Sequence, residues 1–488
     1  MRQPGDILLI SCYELGHQPI GIAMPMGFLK RAGYAPEGID LSVEKLDLEK
    51  VRRAVWIGIA VPMHTALRIG ARVLARVREI NPRCHVAFFG LYASLNEGFL
   101  LAQGADSVIG GEYEGPLLTL IERLSAGPAG AVDADDSIEG VSRKKGRRSP
   151  LLDHLPFAVP DRQALPPLAQ YAQLEENGVR RTAGYVEASR GCRHLCRHCP
   201  IPPVYDGRFF LIPYETVLED IRNLVRLGAT HITFGDPDFL NGPNHSFRIV
   251  RAMHDAFPEL TFDFTAKVEH LLKHRTLIPA FASLGGRFII SAVESLSETV
   301  LLHLAKNHTR ADILEALKTV REAGMALRPS LVPFTPWTTL DDMADLFHFV
   351  EREGLIDAID PVQYSIRLLV PPGSLFLTEA SMAPHLGPLA QERFTYQWRH
   401  PDPRMDALQK EISRWVEQGT AAEEDPAILF YRLKERVAAL QEGRPPRPVD
   451  VTVDPNRAKP PRLTEPWFCC AEPTENQFAI LEASDKIL

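Results

Sequence analysis

Three cysteines fall within eight residues, in Ser189-Arg190-Gly191-Cys192-Arg193-His194-Leu195-Cys196-Arg197-His198-Cys199-Pro200. The spacing is C-x3-C-x2-C, and the loop follows a strand-like run, Thr182–Ala188. Three thiolates on one tight loop can hold three corners of a cubane iron–sulfur cluster. The fourth iron is then free to bind a substrate. Zinc is the rival, because Cys3His is a known ligand set and His194 and His198 are at hand. Zinc knuckles usually bring two ligand pairs, and no second pair lies at the usual distance. Three unliganded thiols fit poorly in so polar a loop. The residues alone therefore favour the open cluster over zinc, and zinc over free thiols.

The chain around this loop alternates strand-like and helix-like runs. In residues 1–125 the strand candidates are Ile7–Ser11, Gly38–Leu41, Trp56–Val61, His85–Gly90 and Ser107–Gly111. Gly21–Gly33, Ala66–Ile80 and Pro116–Leu124 read as the helices between and after them, Ala66–Ile80 with apolar positions recurring at three and four. This predicts a Rossmann-like, doubly wound parallel sheet, which binds ligands at the carboxyl ends of its strands. Residues 126–180 read as a Pro-punctuated linker. In 181–374 six strand candidates recur: Thr182–Ala188, His231–Gly235, Thr261–Lys267, Arg287–Val293, Ala326–Val332 and Val362–Arg367. Six βα units predict a partial (βα)6 barrel with its chemistry at the strand C-termini. Residues 375–442 read as mainly helical, and 443–488 as a Pro-rich extended tail.

Composition narrows the function. Of 488 residues, 45% are apolar and 24% charged, which is globular and not disordered. The net charge of −8 disfavours a nucleic-acid partner. The one basic run, Arg143–Arg148, reads as a solvated linker. No apolar stretch approaches the roughly 18 residues of a membrane span. The first apolar run is too short for a signal peptide. The expectation is a cytoplasmic protein whose thiols stay reduced. Seven cysteines divide into the loop triplet, an adjacent pair Cys469-Cys470, and Cys12 and Cys84 in or beside strands.

The region 182–370 resembles the radical S-adenosylmethionine (SAM) superfamily, with its C-x3-C-x2-C after the first barrel strand. The resemblance implies a [4Fe–4S] cluster on Cys192, Cys196 and Cys199, with SAM chelating the open iron through its amino and carboxylate groups. It implies SAM contacts from Asp236 and Asp238 in Phe234-Gly235-Asp236-Pro237-Asp238, and from Glu294 and Ser295 after the fourth strand. Lys306 in Lys306-Asn307-His308-Thr309 matches a K-x-x-T motif. Arg367, ending the sixth strand candidate, is placed to grip a carboxylate. An electron donor such as flavodoxin or ferredoxin is expected.

The first 120 or so residues resemble the cobalamin-binding-type Rossmann domain that precedes many such barrels. The histidine-ligated mode would show D-x-H-x-x-G, whereas this chain has Glu14-x-x-His17-x-x-x-Gly21. Cobalamin is therefore a candidate cofactor that these residues do not favour. The absence of G-x-G-x-x-G after the first strand disfavours NAD and FAD. The tail, Phe468-Cys469-Cys470-Ala471-Glu472-Pro473, resembles that of the CUAEP/CCAEP-tail branch of radical SAM proteins. Further marks are Cys12–Pro19, Pro333–Thr339 and Ile366–Ser374. The branch resemblance extends to arsinothricin biosynthesis. It implies transfer of the 3-amino-3-carboxypropyl group of SAM to trivalent arsenic, with Cys469 and Cys470 as catalytic, soft ligands for arsenite. Two other readings stand beside it: a cobalamin-dependent methylase, and a non-catalytic zinc- or cluster-binding sensor.

Overall fold

The structure is a computed structural model that describes residues 1–126, 137–144, 146–454, 456–465 and 477–478. Its first sheet holds β1 (Ile7–Ser11), β2 (Glu37–Asp40), β3 (Trp56–Ala60), β4 (His85–Phe89), β5 (Ser107–Ile109) and β6 (Val141–Ser142). Their order is β2-β1-β3-β4-β5-β6, parallel except for β6. The sequence of β3, WIGIA, is apolar throughout because helices bury both faces.

The helix Ile20–Arg31 joins this sheet to the second domain. Ile22, Ala23, Met26 and Leu29 pack on the first sheet's core. Ile20, Met24 and Phe28 pack on the core of the following domain. A helix buried on two sides needs no polar face, which explains its run of apolar residues. The segment expected to be a linker is also packed. Phe157, Ala158 and Leu168 belong to the second core, and the buried Arg162 pairs with Asp220 at 2.9 Å.

The second sheet is a curled half-barrel. Its strands are β7 (Gln173–Glu176), β8 (Val179–Val186), β11 (His231–Phe234), β12 (Thr261–Ala266), β13 (Gly286–Glu294), β14 (Ala326–Leu331) and β17 (Arg462–Leu463). The short β9 (Ser189–Gly191) and β10 (Phe209–Leu211) pair with each other. The sheet order is β14-β13-β12-β11-β8-β7-β17, with β8 and β11–β14 parallel. Asn177 and Gly178, at φ 51° and 74°, form the tight turn between β7 and β8. The returning β17 covers the edge of β7.

The expected sixth barrel strand does not form. Residues Pro361–Ser365 make a 3-10 turn, and only a Phe334–Arg367 bridge remains. The Gln363 side chain accepts a hydrogen bond from Leu331 N at 2.9 Å, taking a place a sixth strand would fill. Pro361 also favours a turn over a ladder. The region expected to be mainly helical carries a hairpin, β15 (Leu386–Ala390) with β16 (Thr395–Trp398), before helices Pro403–Ala421 and Pro426–Gln441. Among the described residues no helix is long and apolar enough to cross a membrane.

Candidate active site

The cysteine loop leaves the carboxyl end of β8. Antiparallel pairing of β9 with β10 pinches its base. Gly191 has φ 75°, and a Cβ there would meet Arg208 O at 2.5 Å, so no other residue fits. Cys199 N donates to Cys196 O at 3.1 Å, which folds the distal part back. Cys192 and Cys196 are buried, Cys199 is half-buried, and all three are free. Burial pushes the Cys192 and Cys199 thiols up. A bound metal replaces those protons and removes that cost, so the donor set fits a thiolate-ligated cluster. Asn241 Nδ2 donates to Cys192 Sγ at 3.5 Å.

The two loop histidines have other partners. His194 Nε2 lies 3.2 Å from His270 Nε2, and His198 Nε2 lies 3.3 Å from Glu294. A Cys3His zinc set therefore finds its histidines directed elsewhere. His194, Asp238 and His270 do cluster, with Asp238 Oδ2 2.8 Å from His270 Nδ1.

The strand ends beside the loop carry the other expected residues. Asp236 accepts from Ser189 Oγ at 2.5 Å and Ala188 N at 3.0 Å. It ties the end of β11 to the base of the cysteine loop. Asp238 accepts from Leu240 N at 3.0 Å, besides its contact with His270. Both carboxylates thus hold the protein's own donors. Ser295 Oγ accepts from Ser297 N at 3.1 Å.

Glu294 ends β13 at φ 64°, a conformation rare for a residue with a side chain. Its carboxylate lies 3.2 Å from Lys306 Nζ as well as near His198. Burial alone would raise its pKa, but Lys306 and His198 outweigh that and hold it at about 2. Burial likewise opposes the charge on Lys306, which Glu294 and then the nearby Cys196 sulfur restore. Lys306 is thus a buried cation next to the cysteine loop.

Arg367 departs from the expectation. It sits after a turn and not a strand, and its guanidinium reaches Asp406 at 2.7 Å and Trp398 O at 2.7 Å. It also stacks on the Trp398 ring at 3.4 Å. The chain's own carboxylate fills the grip expected for a ligand. Arg367 lines a groove of about 700 Å³ on the C-terminal region.

At the first sheet, the loop after β1 is clamped from three sides. Ala172 N donates to Gly16 O at 2.8 Å, and Tyr13 Oη donates to Glu465 at 3.0 Å. His17 stacks on Tyr185 with ring centroids 4.5 Å apart. Burial, His231 and Arg162 lower its pKa to about 3. Glu14 accepts from Gly21 N at 3.1 Å, and burial pushes it up to about 8. His17 is thus packed into the domain junction, and a histidine-on-cobalt mode does not fit these residues.

Two features escaped the sequence reading. A cavity of about 180 Å³ lies within the half-barrel, lined among others by His17, Tyr185, Thr233, Ser330, Gln363 and Glu465. The second is a buried network across the two domains. Arg190 reaches Glu114 at 2.6 Å, Glu187 at 2.9 Å and Glu112 at 3.6 Å, while Tyr205 Oη donates to Glu112 at 2.9 Å. The acids of Gly111-Glu112-Tyr113-Glu114 at a strand end were the available signal. Cys469 and Cys470 lie outside the described residues.

Comparison with known proteins bears on the same region. Residues 186–350 match the family described as the radical SAM superfamily. A protein of Methanocaldococcus jannaschii provisionally named a methylthiotransferase is 22% identical over 388 residues, covering 75% of this chain and 78% of that protein. The ribosomal protein uS12 methylthiotransferase RimO of Geobacter sulfurreducens is 27% identical over 202 residues, 37% of this chain and 42% of RimO. Among solved structures, the cobalamin-dependent SAM radical enzyme OxsB with aqua-cobalamin bound superposes with a TM-score of 0.66. It is 16% identical, over 89% of this chain and 73% of that chain. The methyltransferase TsrM from Kitasatospora setae, with cobalamin and a [4Fe–4S] cluster bound, gives 0.58 at 15% identity, over 72% of this chain and 74% of that one. These likenesses are likenesses of fold, and the two solved structures themselves hold cobalamin. Residues 186–350, with the cysteine loop at their start, are a radical SAM domain.

Proposed function

We propose that this chain is a radical SAM enzyme carrying a [4Fe–4S] cluster on Cys192, Cys196 and Cys199 and binding SAM. The observation that carries the reading is three free thiols on one pinched loop, with both nearby histidines committed elsewhere. When bound, such a cluster passes one electron to the sulfonium and breaks a carbon–sulfur bond. The chain's own residues do the rest. Asp236 fixes the base of the loop through Ser189 and Ala188. Lys306, Glu294 and His198 form a fixed polar edge beside it, which this reading assigns to SAM. The half-barrel cavity, with Thr233, Ser330 and Gln363 in its lining, offers a seat for a small acceptor.

The finer reading is transfer of the 3-amino-3-carboxypropyl group to trivalent arsenic, with Cys469 and Cys470 handling arsenite. The CCAEP tail supports it, as does the soft–soft match of thiolate and arsenic. SAM and arsenous acid would give methylthioadenosine, the carbon-substituted arsonic acid and one proton. The electron put in at the sulfonium would return to the oxidised cluster as the adduct reaches pentavalent arsenic, so the sum is redox-neutral. Incubation with SAM, reductant and arsenite should yield methylthioadenosine. Cys469→Ser with Cys470→Ser should keep the cluster and lose the arsenic product. Formation of only 5′-deoxyadenosine or S-adenosylhomocysteine would contradict this reading.

A cobalamin-dependent methylase is the second reading, supported by likeness to OxsB and TsrM. Stoichiometric cobalt after growth with cobalamin, together with S-adenosylhomocysteine as product, would favour it.

A further inference from the structure

The cysteine loop carries an unusual surface for an acidic protein. Leu195 is 51% exposed in the middle of the loop, and Leu302 is 73% exposed beside it. Arg197 bridges the two, with Nη1 3.3 Å from His303 O and Nε 2.9 Å from Glu379. On the other flank Leu195 lies over Gly207, next to the exposed Arg208. The exposed Arg193 covers the ring of Phe209 at 4.3 Å, and Leu211, 37% exposed, continues the strip past Gly242. Asp206 is the one exposed acid of this strip. Among the described residues Arg193 and Arg208 have no ion-pair partner, in a chain whose net charge is −8. Apolar side chains flanked by two unpaired cations, on the loop that carries the buried Cys192 and Cys196, form a surface suited to a transient, charge-steered partner.

We propose that this face, centred on Leu195, Arg193 and Arg208, docks an acidic one-electron carrier protein that reduces the cluster. The inference rests on the radical SAM reading and adds the place where the expected electron donor docks. The electron has to reach the loop cysteines, and this strip is where the loop itself forms the protein surface. An acidic flavodoxin hydroquinone meets the charge requirement. The anionic hydroquinone gives one electron to the oxidised cluster and becomes the neutral semiquinone, with no proton exchanged.

The test uses the reconstituted full chain under anaerobic conditions, with an acidic bacterial flavodoxin as probe. Binding is measured directly, and cluster bleaching by stopped-flow. Arg193→Glu with Arg208→Glu should raise the flavodoxin Kd and lower the second-order bleaching rate about tenfold, an effect that shrinks with added salt. Photoreduced deazaflavin, an uncharged small reductant, should bleach the variant and the unaltered protein alike. Arg193→Gln with Arg208→Gln should fall between them. Arg399→Glu with Lys410→Glu, in the distant C-terminal groove, should change nothing. Flavodoxin binding unchanged by charge reversal would overturn the proposal, as would a larger loss from the distant pair. So would a Gln variant slowed equally with both reductants. An unaltered protein that takes up no iron and sulfide fails the radical SAM reading itself. One that bleaches with deazaflavin but ignores the Arg substitutions fails only the docking face.

Discussion

The two parallel sheets bring their carboxyl ends toward one junction, yet the buried glutamates Glu14 and Glu294 at those ends are treated in opposite ways. At the first sheet Glu14 is pushed up to about 8, Asp40 up to about 6 and His17 down to about 3, in each case first by burial. Desolvation there favours neutral side chains. At the half-barrel Glu294 is held at about 2 against a charged Lys306, despite equal burial. Pairing there keeps the Glu294 and Lys306 charges, whereas burial pushes Asp236, beyond the end of β11, up to about 7. Parallel topology supplies a place for chemistry at both edges, and the residues decide where it is used. The first edge is clamped shut by its own chain, and the second presents three thiols and a buried ion pair.

The comparison breaks first at the cysteines. Cys199→Ala should abolish cluster uptake and reduce SAM cleavage to background, measured by iron and sulfide content and nucleoside chromatography. Retained turnover would remove the barrel edge from the account. Lys306→Met comes next. It leaves buried Glu294 with His198 as its remaining partner, at a cost of up to about 3–5 kcal/mol. The added change Glu294→Gln should restore part of that in a denaturant-unfolding cycle, since the two residues are in contact.

The first edge responds to pH. Folded Glu14 keeps its proton up to about 8, whereas the unfolded chain releases it near 4.5. Its contribution is therefore fully present below about 4.5 and is lost as pH rises through about 8. Glu14→Gln should flatten the fall of stability across this window, on the order of 1 kcal/mol per pH unit. Asp40 leaves a slope of the same sign over a narrower window, from 3.8 to about 6, since it too is raised. The smallest effect is expected from His17→Ala. Loss of the stack on Tyr185 should cost about 1 kcal/mol and leave iron content unchanged. A fall in iron would show that the two edges are coupled at His17.

Much of this was legible because it is local. Apolar runs such as WIGIA mark buried strands, and the thiol spacing marks the loop. What misled was distant in sequence. Asp406 claims Arg367 across 39 positions, and the Gln363 side chain does the work of a strand. The strip Arg462–Leu463 pairs with β7, 287 positions away. The network of Arg190 with Glu112 and Glu114 forms only when both domains are folded. No periodicity encodes such contacts, because each is made by one side chain meeting a partner from another element.

The most direct test of the central claim is a single anaerobic incubation with SAM and an uncharged reductant. It compares the reconstituted chain with Cys199→Ala. The account predicts brown protein with about four irons and four sulfides per chain, as the cluster type requires. It also predicts SAM cleavage to methylthioadenosine or 5′-deoxyadenosine, absent in the variant. Colourless protein with stoichiometric zinc and intact SAM would contradict it.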